Sequence, residues 1–256
     1  MLLGDWLEEK PFTLTLSSGF FAFFAHLGML DALLTSGLRP ARVTGSSAGA
    51  LVGGSWAAGV PVSAMKSVLL NLERHAFWDP APGLGLLRGD RFRRLLTDLT
   101  GNPDMERLPT PAAISVWRLR DRGTRVLTTG SLVTAISASC AVPVLFHPVP
   151  VSGAWCWDGG IGDRHGLAGC APDERVLYHH IHSRSPWRRA ASPALAIPRR
   201  DSLSSLVISD LPRSGPQRLD QGRQALALAY SATRRALDRP LRDGTVQLSA
   251  LQEAAS

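Results

Sequence analysis

Val43-Thr44-Gly45-Ser46-Ser47-Ala48-Gly49-Ala50-Leu51 is the stretch from which this chain is read. It contains Gly45-x-Ser47-x-Gly49, the spacing of a nucleophile elbow. A serine on a sharp strand-to-helix turn sits in a strained backbone conformation, so the residues two positions away must be small. The turn exposes the hydroxyl at a helix N-terminus, where backbone N–H groups and the dipole favour negative charge. The flanks suit this reading. Residues 41–44 can end a short buried strand, and residues 48–58 are small and apolar enough for a tightly packed helix. Any loop rich in glycine and serine can carry the same pattern by chance, so the rest of the chain has to decide.

Upstream, residues 12–16 (Phe-Thr-Leu-Thr-Leu) alternate and are rich in strand formers. Ser17-Ser18-Gly19 makes a turn. Phe23, Phe24, Leu27, Leu30 and Leu34 then follow at helical spacing, and Gly37 closes that helix. Strand, helix, strand, helix predicts a parallel sheet with right-handed crossovers.

Downstream, Pro61 starts an amphipathic helix over 62–72. Residues 75–87, rich in Pro, Gly and Trp, read as an ordered loop or a lid. Asp90 is placed to cap a helix running to Leu99. Residues 113–117 and 124–128 flank a hairpin-like turn, and 132–139 is a short helix of small residues. Pro143 and Pro148 bracket an extended apolar segment. After the Ser152-Gly153 turn, a strand enters Asp158-Gly159-Gly160. Strands are expected over 175–178 and 205–209, a Pro- and Arg-rich surface excursion over 184–200, and a basic amphipathic helix over 220–237. The last dozen residues are weakly patterned.

Bulk properties bound the answer. With 256 residues, 45% hydrophobic and 19% charged, the chain can build one substantial core. No apolar run approaches the ~18 residues of a membrane span, and residues 1–9 lack the basic and apolar regions of a secretory leader. Cys140, Cys156 and Cys170 form no Cys-x-x-Cys pair, which fits a reduced, cytoplasmic chain. Net charge is +7. Lys10 and Lys66 are the two lysines, so the excess is arginine. Compositional bias explains it, or attraction to anionic lipid headgroups at a membrane surface. The arginines do not alternate with aromatics along a groove-like stretch, so no nucleic acid is expected as partner.

A serine hydroxyl needs a base before it can act as a nucleophile. None of the seven histidines lies in a motif. His26 is inside the first helix, His75 and His165 are in loops, His147 lies between Phe146 and Pro148, and His179, His180 and His182 end a strand. Neighbouring strand residues point to opposite faces, which argues against a shared metal there, and no metal is expected. A Ser–His–Asp arrangement would require His165 or His180. Asp158 ends a strand, and Gly159 and Gly160 after it allow close backbone approach by another loop, although Asp-Gly also makes simple turns.

These pieces resemble the patatin-like phospholipases. Residues 45–51 are similar to that family's elbow. Ala25-His26-Leu27-Gly28-Met29-Leu30 resembles its first-helix signature. The run 137–149 looks like its segment ahead of the acid, and Asp158-Gly159-Gly160 like its Asp-Gly-Gly. The resemblance runs from about residue 12 to 177. It implies a three-layer α/β/α patatin-like domain with a mainly parallel central sheet. One domain over 1–256 is expected, with its recognisable core at about 12–178 and a helical remainder at 179–256. It also implies a Ser–Asp dyad without histidine, metal or other cofactor, in which Ser47 is the nucleophile and Asp158 the general base. The substrate would be a lipid or other acyl ester; peripheral contact with an anionic membrane surface is the functional reading of the arginine excess, not of the resemblance.

The departure from the family lies after the first strand. The family carries a glycine-rich loop with an arginine or lysine there. In residues 16–23 only Gly19 of the glycine run remains, and Ala22 stands at the basic position. Backbone N–H groups of Ser18, Gly19, Phe20 and Ala48 are the expected oxyanion donors. Phe20 and Phe21 could line an acyl groove, with Trp56, Phe77, Trp78, Leu84, Leu86 and Leu87 completing its mouth. Loss of the glycines motivates a rival from another class, a weakly active or inactive lipid- or protein-binding module. A thioesterase or acyltransferase would use the same serine.

Overall fold

The structure, a computed structural model, describes residues 1–181 and 192–251. The excursion expected over 184–200 and the ring of His182 fall partly or wholly outside the described residues. The chain opens with α1 (Leu3–Glu9), which the sequence reading missed. It then runs through β1 (Thr13–Leu16), α2 (Phe23–Thr35), β2 (Arg42–Ser46), α3 (Ala48–Ala57) and α4 (Val62–Leu70). Next come β3 (Gly85–Leu87), α5 (Asp90–Thr100), β4 (Ala112–Arg118), β5 (Gly123–Leu127) and α6 (Leu132–Ser139). β6 (Val144–Phe146), β7 (Val149–Val151), β8 (Ala154–Asp158) and β9 (Val176–Ile181) follow. β10 (Leu203–Ser209), α7 (Leu219–Leu237) and β11 (Thr245–Ser249) complete the order.

Eight strands lie side by side in the order β11-β10-β9-β1-β2-β4-β8-β7, and β5 pairs with β4. From β11 to β4 every pairing is parallel, and the hairpin strands β5, β8 and β7 are antiparallel additions at one end. This is the α/β class with a mainly parallel sheet that strand–helix alternation requires. β1 sits at the centre with all four residues buried. Leu14 and Leu16 enter the main core with Val43, Phe24, Leu27 and Leu30, each buried leucine contributing about 1.5–3 kcal/mol. Thr13, Thr15 and Thr44 face the other way. Their hydroxyls bond to Glu174, to each other, and to the Gly166 carbonyl, so polar side chains are satisfied beneath the segment that follows Asp158.

Three expectations need correction. The described residues after 178 are not a helical remainder. They supply β10 and β11 to the central sheet, and α7 packs along α2. Asp90 does not cap α5; Gly89 occupies that position at φ +83°, and Asp90 begins the helix paired with Arg93. The 75–87 segment is not wholly irregular, because β3 pairs in parallel with β6 as a two-stranded ribbon.

Candidate active site

The strand β2 delivers its chain directly into a turn at Ser47, which adopts φ 54°, ψ −117° before α3 begins. That conformation is costly for a residue with a side chain and persists only where the surroundings enforce it. The flanking glycines show how. A Cβ on Gly45 would lie 2.7 Å from the Gly49 carbonyl carbon, and one on Gly49 would lie 2.0 Å from the Leu16 carbonyl oxygen. Both are closer than any side chain can approach, so the spacing read from the sequence is a packing requirement of the β1–β2–α3 junction.

Asp158 arrives from β8, which is separated from β2 by β4 alone. β8 ends there, opposite Val116 of β4. Ser47 Oγ donates to Asp158 Oδ2 at 2.6 Å, although the two residues are 111 positions apart. Gly160 N–H donates to Oδ1 at 2.7 Å. Ser47 is 9% and Asp158 7% exposed. Burial pushes the Asp158 carboxyl up to about 6. The Ser47 and Gly160 hydrogen bonds and the Arg164 charge hold it from rising further. The glycines after it are again forced. A Cβ on Gly159 would meet the Ser115 carbonyl oxygen at 2.0 Å, and one on Gly160 would meet Ser18 Oγ at 2.4 Å.

The expected oxyanion donors divide. Ser18 N–H donates to the Arg164 carbonyl at 2.7 Å, so it is committed to holding two loops together and drops out of the set. The N–H groups of Gly19, Phe20 and Ala48 have no acceptor among the described residues, and all three residues line the cavity that opens at Ser47. Phe21, next in the loop, takes φ +56°, a left-handed turn where the family's glycines are missing.

Two residues that the sequence reading missed shape the site. Ser139 Oγ accepts from Ser47 N–H at 2.8 Å and donates to the Ser115 carbonyl at 2.7 Å, bracing the elbow. Asp163 accepts from Ser115 Oγ at 2.6 Å and from the N–H groups of Leu167 and Ala168, fixing the loop after Gly160. Neither role could be read locally, since each depends on Ser115 of β4, and Ser139 on Ser47 as well. Cys140 donates its thiol to the Ser47 carbonyl at 3.2 Å. Burial, with the Asp158 charge, raises its pKa well above the usual thiol value, so it is an unreactive neighbour.

The histidines are engaged elsewhere. His165 Nε2 donates to the Ala196 carbonyl at 3.0 Å, and His180 Nδ1 meets the Tyr178 hydroxyl at 2.9 Å. His26 and His179 form a buried pair with Nδ1 atoms 2.9 Å apart, and His26 Nε2 donates to the Ser17 carbonyl at 2.7 Å. Burial depresses His26 to about 4, so it is neutral near pH 7 and ties α2 to the end of β1. Among the described residues no cluster of three or more His, Cys, Asp or Glu side chains is placed to hold a metal.

A cavity of about 110 Å³ leads away from Ser47 between α4, α5 and the β3–β6 ribbon. Phe20, Phe21, Phe23, Phe77, Trp78 and Leu87 are in its wall. Three of the residues proposed for that mouth lie outside it. Trp56 is buried in the main core with Arg39 over its ring, and Leu84 and Leu86 are exposed to solvent.

Comparison with known proteins gives a consistent picture. A family model described as patatin-like phospholipase matches residues 14–169. Proteins of Mycobacterium tuberculosis and Mycobacterium bovis, both called uncharacterized NTE family proteins, are 32% identical over 173 residues, covering 59% of this chain and 42% of theirs. The chain therefore spans less than half the length of these relatives. The crystal structure of VipD from Legionella pneumophila superposes with a TM-score of 0.63 at 17% identity, covering 89% of this chain and 67% of that one, a likeness of fold.

Proposed function

This chain belongs to the patatin-like phospholipase family, and on that premise we propose that it is a lipid acyl hydrolase working through a Ser47–Asp158 dyad. The observation that carries the reading is the 2.6 Å hydrogen bond from Ser47 Oγ to a buried carboxylate whose basicity burial has raised. An ordinary carboxylate is too weak a base for this task. One near 6 is mostly ionised at neutral pH, yet accepts a proton far more readily.

In the first half-reaction Ser47 Oγ bonds to the ester carbonyl carbon as its proton passes to Asp158. The carbonyl oxygen takes the negative charge and accepts hydrogen bonds from Gly19, Phe20 and Ala48 N–H, with the α3 dipole behind Ala48. The C–O bond to the alcohol then breaks, and Asp158 returns the proton to that leaving oxygen. In the second half-reaction a water gives its proton to Asp158 and adds to the acyl carbon. The bond from Ser47 Oγ to the acyl carbon then breaks, Asp158 returns the proton to Oγ, and the fatty acid leaves. In this reading the apolar cavity beside Ser47 receives the acyl chain, which supports a lipid ester as substrate.

The test is labelling with a fluorescent fluorophosphonate, which reacts with activated serine nucleophiles. Wild type is expected to label and Ser47→Ala not to. Asp158→Asn should lose hydrolysis of acyl esters, while His165→Ala and His180→Ala keep most of it. A folded wild type that neither labels nor hydrolyses any acyl ester would overturn the reading in favour of a binding module.

A further inference from the structure

A second concavity lies away from Ser47. A cleft of about 730 Å³ opens between the C-terminal end of α7, β11 and the segment before β10. Its wall holds four arginines, Arg199, Arg235, Arg239 and Arg242, against one carboxylate, Asp243. β11 ends the strand order, so no described strand covers its outer edge.

A plainer role accounts for only part of this. Arg235 lies in the last turn of α7, where a cation complements the helix dipole, and it donates to the Ser249 carbonyl at 3.4 Å. Arg199 and Arg242 come from other segments and serve no such purpose. Some arginines elsewhere find carboxylates, as Arg42 does with Glu174, Arg175 with Glu9, and Arg118 and Arg125 with Asp121, whereas others among the described residues stand singly on the surface; the cleft differs in gathering four into one concavity. Among the described residues the four arginines of the cleft form no ion pair. Like charges gathered in one concavity repel, and a multiply charged anion relieves that repulsion.

We infer that this cleft is a binding site for a polyphosphorylated organic anion. Guanidinium forks match phosphate oxygens two at a time, and four of them exceed what one carboxylate can neutralise. The volume falls in the range of small-molecule sites and is more than one phosphate needs. The site is separate from the dyad. β11 is four strands from β2, roughly 19 Å at the usual strand spacing. Arg239 and Arg242 precede β11, whereas Ser47 follows the C-terminal end of β2, the opposite edge of these parallel strands. An occupant here therefore does not compete with an acyl ester at Ser47.

The phosphates could belong to a free metabolite or to a phosphoinositide headgroup, and two measurements separate these sources. Isothermal titration of the full chain with inositol hexakisphosphate at about 0.15 M salt reads the first. Sedimentation with phosphatidylcholine vesicles, with and without phosphatidylinositol phosphate, reads the second. Saturable binding of either probe is expected, weakened about tenfold or more in Arg239→Ala/Arg242→Ala. Both side chains are exposed, so the core is untouched, and coincident thermal melts verify it. The Arg239→Lys/Arg242→Lys variant should fall in between, because charge remains while the fork is lost. Binding of the soluble probe alone assigns a free ligand, and binding of the vesicles as well assigns a headgroup. Arg94→Ala/Arg107→Ala removes the same net charge from exposed positions elsewhere and should bind like wild type. Equal weakening in both alanine variants would reduce the effect to net charge and overturn the site, as would failure of the wild type to bind either probe.

Discussion

Asp158 shows how much one side chain's surroundings decide. Its carboxyl is raised to about 6 chiefly because burial penalises the charged form. Only the ionised form can accept the Ser47 proton, so kcat/KM for an acyl ester should fall as pH drops through about 6, which a pH–rate profile checks. Stability should move the opposite way. Because the folded value lies above the unfolded 3.8, the native state holds the extra proton between 3.8 and about 6, and stability is lost as pH rises through that window. Asp158→Asn carries no charge to bury. Its stability relative to wild type should therefore be greater at pH 8 than at pH 4 by about 2 kcal/mol, measured by denaturant unfolding at the two pH values. Ser139 makes a further test. Ser139→Ala leaves the buried Ser47 N–H without its acceptor, costing about 1–3 kcal/mol and lowering kcat more than KM rises.

At the scale of elements, the elbow and the cavity make separate demands. Gly49→Ala would put a methyl group into the Leu16 carbonyl, so α3 must shift from β1. A loss of about 3 kcal/mol or more is expected, with the strained Ser47 turn relaxing and fluorophosphonate labelling falling with it. The cavity wall is assembled from α4, α5, the β3–β6 ribbon and the loop after β1. Val142→Trp fills space beside Ser47 without touching the dyad. It should lower kcat/KM for long-chain esters while sparing short ones, and equal losses across chain lengths would show that this cavity does not hold the chain. Most elements were readable because periodicity and punctuation agreed. The helix over Leu132–Ser139 and the turn at Ser152-Gly153 stand where the pattern put them. α1 and β11 escaped because each is short and borrows its stability from α7, β10 and the chain ends.

The whole molecule is closed by its last fifty described residues. α7 lies along α2, β10 covers the edge of β9, and His26 of α2 bonds to His179 of β9. We expect residues 1–251 to unfold as one cooperative unit, visible as a single calorimetric transition. A chain ended after Ile181 would uncover the apolar face of α2 and leave β9 as an unpaired edge. It should be recovered aggregated, and a soluble, cooperatively melting fragment would disprove that dependence.

The amino-acid sequence by itself determined the strand–helix alternation, the small residues that a strained serine turn requires, and the aspartate followed by two glycines. These are local matters of sterics and periodicity, and local pattern records them. Tertiary structure alone decided the rest. Residues 47 and 158 meet only because β2, β4 and β8 are neighbours in the sheet. Ser18 is lost as an oxyanion donor because Arg164, 146 positions later, takes its N–H. The basicity of Asp158 comes from burial by segments scattered over the chain, and Arg199 joins Arg235, Arg239 and Arg242 at the second cleft only because β10 lies beside β11. Hydrogen bonding, desolvation and charge depend on distance in space, which a linear pattern does not contain.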